Sequence, residues 1–370
     1  MKIVFTGGGT GGHFYPLMAV AEQILKETYA QKLIQPKLYY YASSSYNDSM
    51  LYERGMVYTH IPSGKLRLYF SLENISDMFK VVFGTIKAVF KLLVIYPDVV
   101  FAKGGYDSVP TSVAAFILRI PIIIHDSDTV TGRANLFISK FANRIAVSYP
   151  EAVKNFKDQS TVACTGQPII EKYLPGSNFT RQYNAGKTKK QTILITGGSQ
   201  GSVKINDCIL EILPELISKY TIIHHTGESN IIDVEKRVSV ILHDYDKSGY
   251  TAKANLDFST IYSHVDLAIS RAGSTIFELA SWQIPSILIP IPESISRDQV
   301  SNAHAAEHAG FVKVLLENNL TPHILLADIE KILDNQGVYE HMAISAKNFN
   351  NPQAANTIAK EILSIVLSHA

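Results

Sequence analysis

Directly after its first apolar run the chain reads Gly7-Gly8-Gly9-Thr10-Gly11-Gly12-His13. Glycine lets a ligand come close to the backbone, and a loop placed before a helix aims free N–H groups and the positive helix end at an anion. The chemistry this suggests is a phosphate or diphosphate cradle; the plainer alternative is a tight turn between strand and helix. A second loop of the same kind, Gly197-Gly198-Ser199-Gln200-Gly201, follows another apolar run. His13 stands where the first loop meets its helix, where the field disfavours an imidazolium. A neutral imidazole there can accept a proton as a general base; alternatively it only packs its ring.

Rival patterns fail on their surroundings. Gly7 to Gly12 satisfies G-x-G-x-x-G, but the second strand ends Ala42-Ser43-Ser44-Ser45, without the acid that holds a nicotinamide ribose. No Gly-Lys-Ser/Thr follows either loop, so neither is a P-loop. His304-Ala305-Ala306-Glu307-His308 matches the inverted zinc-protease pattern, without an obvious third ligand. Asp126-Ser127-Asp128 has the D-x-D form and reads more simply as the polar end of a buried strand. No metal site is expected.

The loops need strands and helices to hold them. Short β-branched runs at 3–6, 37–42, 57–61, 98–102, 121–125 and 144–148 form one series. Runs at 192–196, 221–225, 265–270, 286–290 and 312–315 form a second. Several are apolar nearly throughout, as strands covered on both faces are, and helical stretches separate them. Both halves therefore read as α/β, doubly wound parallel sheets. The expected domains are 1–163 and 164–349, with a last helix, about 350–370, returning to the first domain.

At 370 residues the chain suits two domains. Hydrophobic residues make up 46% and charged ones 18%, a folded composition. A net charge of +1 excludes a global nucleic-acid footprint. Cys164 and Cys208 form no framework and fit a reducing cytoplasm. No leader is expected, and the longest uncharged apolar stretch, 279–292, is broken by Pro285, Pro290 and Pro292 and too short to span a bilayer.

Five stretches together carry a resemblance: TGGGTGGHFYP (6–16), KGGYDSVP (103–110), TGGSQGSVKIN (196–206), SRAGSTIFELA (270–280) and QVSNA (299–303). In order and spacing the chain resembles the MurG family, bacterial transferases that add N-acetylglucosamine to lipid I to make lipid II. The resemblance implies a GT-B architecture of two Rossmann-like domains facing a central cleft. It implies an inverting hexosyltransferase of peptidoglycan synthesis, with UDP-N-acetylglucosamine (UDP-GlcNAc) as donor and a polyprenyl-diphosphate-linked acceptor. No cofactor or metal is implied, and the place is peripheral, on the inner face of the cell membrane. A related lipid-directed transferase, a UDP-sugar epimerase and a non-catalytic nucleotide-sugar-binding subunit are the alternatives.

Roles follow position by position. His13 matches the family's proposed base. Thr10, Gly11 and Gly12 face the acceptor diphosphate and the donor sugar; Gly8, Gly9, Gly104, Gly105, Tyr106 and Ser108 line the acceptor side. Gly198, Ser199, Gln200 and Gly201 hold the donor diphosphate, with Ser199 also readable as a helix N-cap. Arg271, Gly273 and Ser274 lie beside the nucleotide. Glu278 matches the ribose-binding carboxylate, although Thr275-x-x-Glu278 also has the form of a capping box. Gln299 reads the sugar hydroxyls, with Asn302 nearby, and Asn255 serves the uracil by its backbone.

The sequence departs from the family at three places. His125-Asp126-Ser127-Asp128 replaces His-Glu-Gln-Asn, and Asp128 cannot donate a hydrogen bond as Asn does. Ile170 stands where an arginine is usual, and Asn255 where isoleucine is usual. These leave the donor sugar open. Along 66–95, Ile75, Met78, Phe79, Val82, Ile86, Val89 and Leu93 follow helical spacing and read as a core face. Tyr69, Phe70, Leu72, Phe83 and Phe90, with Lys65, Arg67, Lys80, Lys87 and Lys91, fall largely off that stripe and suit an anionic membrane surface.

Overall fold

The computed structural model describes residues 1–65, 72–177, 179–183, 190–296 and 298–368. The chain divides into two compact units, Met1–Glu171 with Asn351–Ala370, and Lys172–Asn350. The first division falls later than the expected 163/164 because the chain is still tied to unit 1 there. A strand at Val162–Cys164 pairs with the strand before it, and Thr165 N–H donates to Val147 O at 3.0 Å. The second falls between Asn350 and Asn351, because Asn351 donates to Thr165 O at 2.9 Å while Asn350 holds Ser281.

Unit 1 runs β1 (Lys2–Thr6), α1 (Gly11–Ala30), β2 (Lys37–Ala42), α2 (Asp48–Glu53), β3 (Val57–His60), α3 (Leu72–Ile95), β4 (Val99–Ala102), α4 (Ser108–Ile117), β5 (Ile122–Asp126), α5 (Arg133–Ile138), β6 (Arg144–Val147) and β7 (Val162–Cys164). Its seven-stranded parallel sheet has the order β3-β2-β1-β4-β5-β6-β7. Unit 2 runs β8 (Thr192–Thr196), α6 (Val203–Glu211), α7 (Leu213–Lys219), β9 (Thr221–His225), α8 (Ile231–Ile241), β10 (Tyr250–Lys253), β11 (Leu267–Ser270), α9 (Thr275–Ser281), β12 (Ser286–Leu288), α10 (Gln299–His308), β13 (Val312–Val314), α11 (Pro322–Leu333) and α12 (Gln336–Phe349). Its six-stranded parallel sheet has the order β10-β9-β8-β11-β12-β13. The closing helix α13 (Ala354–Ser368) belongs to unit 1, where Asn356 donates to Glu27 and Arg144 pairs with Glu361.

The sheet order explains where the loops sit. In unit 1 the winding reverses between β1 and β4; in unit 2 it reverses between β8 and β11. A ligand crevice opens at the carboxyl ends of strands at such a point. The loop after β1 therefore adjoins the loop after β4, and the loop after β8 adjoins that after β11. The strands carrying them are buried along their length: β4, β8 and β11 expose no residue.

Helix α3 overturns the core-face expectation. Ile75, Met78, Phe79, Val82, Ile86 and Leu93 are exposed, with Phe79 at 66%, while Val89 is half-buried. The covered face is built from Asp77, Gly84, Ala88 and Leu92. At Gly84 a Cβ would stand 1.9 Å from Pro62 O, so only glycine admits that approach. Small residues on one face let the helix lie close to its neighbours and turn the large side chains outward. Phe83 and Phe90 are exposed on the same helix, at 63% and 66%. Lys80 pairs with Asp77 at 2.8 Å. Tyr69, Phe70 and Arg67 lie outside the described residues, as does the side chain of Leu72.

The stretch 176–190 is described in part, leaving out 178 and 184–189. Its Arg181 is anchored in unit 2, donating to the carbonyls of Tyr262, Val265 and Trp282.

Candidate active site

In unit 1, Thr10 holds the N-cap position of α1, but its hydroxyl makes no cap bond to the backbone. It lies 2.8 Å from His13 Nδ1 instead. The other ring nitrogen faces the turn after β4, where a Cβ on Gly105 would lie 3.4 Å from Nε2. Burial, and secondly the charge of Lys103, push the His13 imidazole down to about 4. It is neutral at neutral pH, as a proton acceptor must be.

Lys103 is buried, and its Nζ donates to Ser127 Oγ at 2.6 Å. Burial lowers this ammonium's pKa, and the carboxylates of Asp126 and Asp128 oppose that. Asp126 is raised by burial and held against it by Asn135 at 2.9 Å, by Lys103 and by the N–H groups of Asp128 and Gly132. The two aspartates that break the expected pattern thus share their charge with a lysine behind the first loop. Ile170, where an arginine was expected, is buried and apolar, so no cation is hidden at that position.

The expected acceptor residues separate into two groups. Gly9 is exposed, Gly105 and Tyr106 are half-buried, and a Cβ on Gly9 would meet Tyr106 Oη at 2.9 Å. Gly8 and Gly104 are buried. Ser108 is fully buried and donates to Gly105 O at 2.9 Å. Its hydroxyl is engaged in the turn after β4. Asp107, buried at the start of α4, accepts from Ser43 at 3.0 Å and from Ser63. It ties the ends of β2 and of the 61–65 segment to the glycine loops.

In unit 2 the loop after β8 is braced from below. Thr196 Oγ1 accepts from Gly198 N–H at 3.2 Å and lies 2.9 Å from His225 Nδ1. Gly201 has φ +74, and a Cβ there would stand 1.9 Å from Thr226 O. Ser199 and Gln200 are exposed. Ser199 is not the N-cap: α6 starts at Val203, and Ser202 Oγ accepts from Ile205 N–H.

Arg271 is engaged within the protein. It donates to Ser202 Oγ at 2.7 Å and Ile289 O at 3.0 Å, and pairs with Glu317 at 2.6 Å. It locks the two loops of unit 2 together, and its charge is balanced before any nucleotide arrives. Gln299 is also a clamp: its Oε1 accepts from the N–H groups of Ala272 at 3.3 Å and Ile291 at 3.1 Å. Asn302 is buried and donates to Ala272 O at 3.3 Å. These three residues build the loop after β11, while Gly273 and Ser274 at its tip are half-buried. Asn255, after β10, is exposed.

The capping box at 275–278 does not form. Ser274 occupies the N-cap position without a cap bond, and Glu278 accepts from the Tyr262 hydroxyl at 2.7 Å. Burial pushes the Glu278 carboxyl up to about 7, and the Tyr262 bond opposes this. In the His304–His308 segment, Glu307 accepts from Val314 N–H at 3.0 Å and meets His304 at 3.3 Å. Among the described residues no group of three or more histidines, cysteines and acids could hold a metal ion. Lys103, Asp107 and Tyr262 were missed from sequence; the first two lie inside the quoted KGGYDSVP stretch, but no spacing rule marks them.

The glycosyltransferase family 28 N-terminal domain matches residues 3–147, and the family's C-terminal domain matches 192–358. A protein of Bacillus cereus named UDP-N-acetylglucosamine--N-acetylmuramyl-(pentapeptide) pyrophosphoryl-undecaprenol N-acetylglucosamine transferase 2 is 34% identical over 366 residues, 98% of this chain and 99% of that one. One of Clostridium botulinum, with the same name apart from the final number, is 35% identical over 365 residues, 97% of this chain and 99% of its own. The crystal structure of Acinetobacter baumannii MurG shares the fold at a TM-score of 0.75, with 23% identity over 98% of this chain and 99% of that one. Two parallel-sheet units with glycine loops at both switch points, and this likeness along nearly the whole length, make the chain a member of glycosyltransferase family 28 and, within it, of the MurG family.

Proposed function

We propose that the chain transfers N-acetylglucosamine from UDP-GlcNAc to the 4-hydroxyl of the muramyl residue of a polyprenyl-diphosphate-linked acceptor, with inversion. The observation that carries this reading is the match, over 98% of the chain, to a relative named for that transfer. The site geometry supports it: a neutral His13 stands at the first glycine loop, and a half-buried carboxylate, Glu278, stands on α9, which follows the loop after β11.

In this reading the acceptor hydroxyl attacks the anomeric carbon as the bond to UDP breaks. His13 Nε2 takes the hydroxyl proton, and Thr10 fixes the ring by accepting from Nδ1–H. The charge that develops on UDP meets N–H groups of the loops at 197–201 and 271–274. Glu278 accepts from the ribose diol, which suits a carboxylate with a free oxygen. The scheme uses no metal or cofactor. The enzyme works at the surface of an anionic membrane, on its cytoplasmic side, through α3. The exposed aromatic side chains of that helix, with Lys87 and Lys91, support this placement. Among the described residues no helix is long and apolar enough to cross a membrane.

Asp128 favours keeping the sugar open, since a carboxylate there accepts where an amide would also donate. The test is turnover of a panel of UDP-sugars with a short-chain lipid-linked acceptor, with and without a chelator, for wild type and His13→Ala. N-acetylglucosamine transfer that collapses in the variant supports the reading. Preferred transfer of another sugar reassigns the donor. Binding of UDP-sugar without any transfer overturns it in favour of a binding subunit.

A further inference from the structure

Tyr262 is fully buried, in the turn before β11, and no role has been given to it. Its ring is stacked on Phe258, with centroids 5.5 Å apart and planes at 20°, and it lies 6.2 Å from the Trp282 ring. Its carbonyl accepts from Arg181 Nη2 at 2.8 Å. Ring and backbone are both fixed, so the hydroxyl has one place to go: Glu278 Oε2, 2.7 Å away. Among the described residues Glu278 has no other side-chain partner, and no cation balances it.

A buried tyrosine hydroxyl needs an acceptor, and a half-buried carboxylate needs donors. Here one oxygen is satisfied from beneath by the protein and the other is left open. We infer that Tyr262 is the positioning residue of the nucleotide site: its hydroxyl holds Glu278 in place, so that Oε1 is presented to the ribose diol. The inference rests on the ribose-binding reading of Glu278 given above. Tyr262 touches no substrate and acts only through the carboxylate.

The surroundings leave Tyr262 in control of that carboxylate. Tyr173 is the other titratable group near the tyrosine hydroxyl. Arg181 gives its donors to three carbonyls, and His225 meets Phe258 edge-on at 5.5 Å. Arg271 is paired with Glu317, and Lys172 lies 3.9 Å from Asp257. Burial drives the Glu278 carboxyl towards its neutral form, and the tyrosine bond is what opposes it. Loss of that bond raises the carboxyl further, so the open oxygen becomes a poorer acceptor at neutral pH.

The experiment is calorimetric binding of UDP and of 2′-deoxy-UDP to the full chain from pH 6 to 9. It compares wild type, Tyr262→Phe, and protein carrying a difluorotyrosine at position 262, which keeps the packing and donates more strongly. For wild type, UDP affinity falls as pH drops below about 7, and 2′-deoxy-UDP binds more weakly with a flatter profile. Tyr262→Phe weakens UDP roughly tenfold at pH 7, the size of a lost hydrogen bond to a charged group. Its pH midpoint moves up, and affinity recovers in alkali; the fluorinated side chain moves the midpoint down. An affinity loss equal at every pH, or midpoints that do not move, overturns the inference. No difference between UDP and 2′-deoxy-UDP in wild type overturns the ribose reading instead. If Tyr262→Phe does not fold, the fluorinated protein alone decides.

Discussion

His13 Nδ1 lies 2.8 Å from the hydroxyl of Thr10, a residue in the N-cap position that does not cap its helix. The direction of this bond decides the chemistry. If Nδ1–H donates to Thr10, the lone pair sits on Nε2, the nitrogen facing the Gly105 turn. Thr10→Val removes the acceptor and frees the other tautomer, which cannot take a proton at Nε2. The expected result is a kcat reduced roughly 10- to 100-fold with donor KM unchanged, against a loss of about 10²–10⁴ for His13→Ala. Thr10→Ser, which keeps the hydroxyl, should restore most of the rate. Steady-state kinetics of the three variants check this.

His13 in unit 1 and Glu278 in unit 2 titrate far apart, and their pH limbs should separate. His13, held at about 4, is already neutral across the neutral range, so kcat should stay flat from pH 8 to about 5 and fall only below that. Glu278, raised to about 7, must be ionised to accept from a diol, so donor KM should rise as pH falls through 7. The same shift has a stability consequence with a definite sign. The folded carboxyl keeps its proton from 4.5 up to about 7 while the unfolded one has lost it, so stability falls as pH rises through that window. Ligand-free Glu278→Gln should therefore melt higher than wild type at pH 8 and match it at pH 4. The gain should be on the order of 1–2 kcal/mol once partial exposure is allowed for. Thermal melts at the two pH values measure it.

Arg271 and Glu317 form an ion pair with side chains only 12% and 16% exposed. Removing one partner leaves a desolvated charge, which costs roughly 3 kcal/mol. Arg271→Ala should lower the melting temperature by several degrees, and Glu317→Ala should do nearly the same. A direct phosphate contact would give another result: Arg271→Ala would raise donor KM with little effect on melting, and Glu317→Ala would leave both unchanged.

The glycine loops were legible in the sequence because a backbone that takes positive φ or passes close to a neighbour, as at Gly7 and Gly201, favours one residue type. The apolar strands were legible because a doubly covered strand has no polar face to confuse the pattern. The strands β7 and β10 were not: Val-Ala-Cys and Tyr-Thr-Ala-Lys hold one β-branched residue each, too few to mark a β-branched run. Side-chain roles were legible less often. Arg271, Gln299 and Asn302 stand in the motif positions, yet each is engaged within unit 2: Arg271 with Ser202 and Glu317, Gln299 and Asn302 with the backbone of Ala272. Tyr262 is 16 residues from its partner, and nothing in either segment announces the contact. On α3 the helical period was read correctly and the side was not. An apolar stripe says that a face avoids water, not what covers it; here Gly84 and Ala88 took the protein side.

That reversal yields the last prediction. Phe79, Phe83 and Phe90 are each more than half exposed on α3, with Ile86 and Leu93 beside them. An exposed apolar face of this size marks an interaction surface. Lys80 is paired with Asp77, so its attraction for an anionic surface is partly cancelled, while Lys87 and Lys91 have no ion pair among the described residues. Binding to vesicles containing phosphatidylglycerol should then rest mostly on the aromatic side chains, with about 1 kcal/mol from each free lysine. Phe83→Asp with Phe90→Asp should abolish co-sedimentation without lowering the melting temperature, since both side chains are already in water in the folded protein. Turnover of a short-chain, water-soluble acceptor should be unchanged, while turnover of a long-chain acceptor in vesicles should fall. Lys87→Ala with Lys91→Ala should weaken binding at low salt and make no difference at high salt, where those charges are screened. Retained vesicle binding by the double aspartate variant would place the membrane contact elsewhere on the molecule.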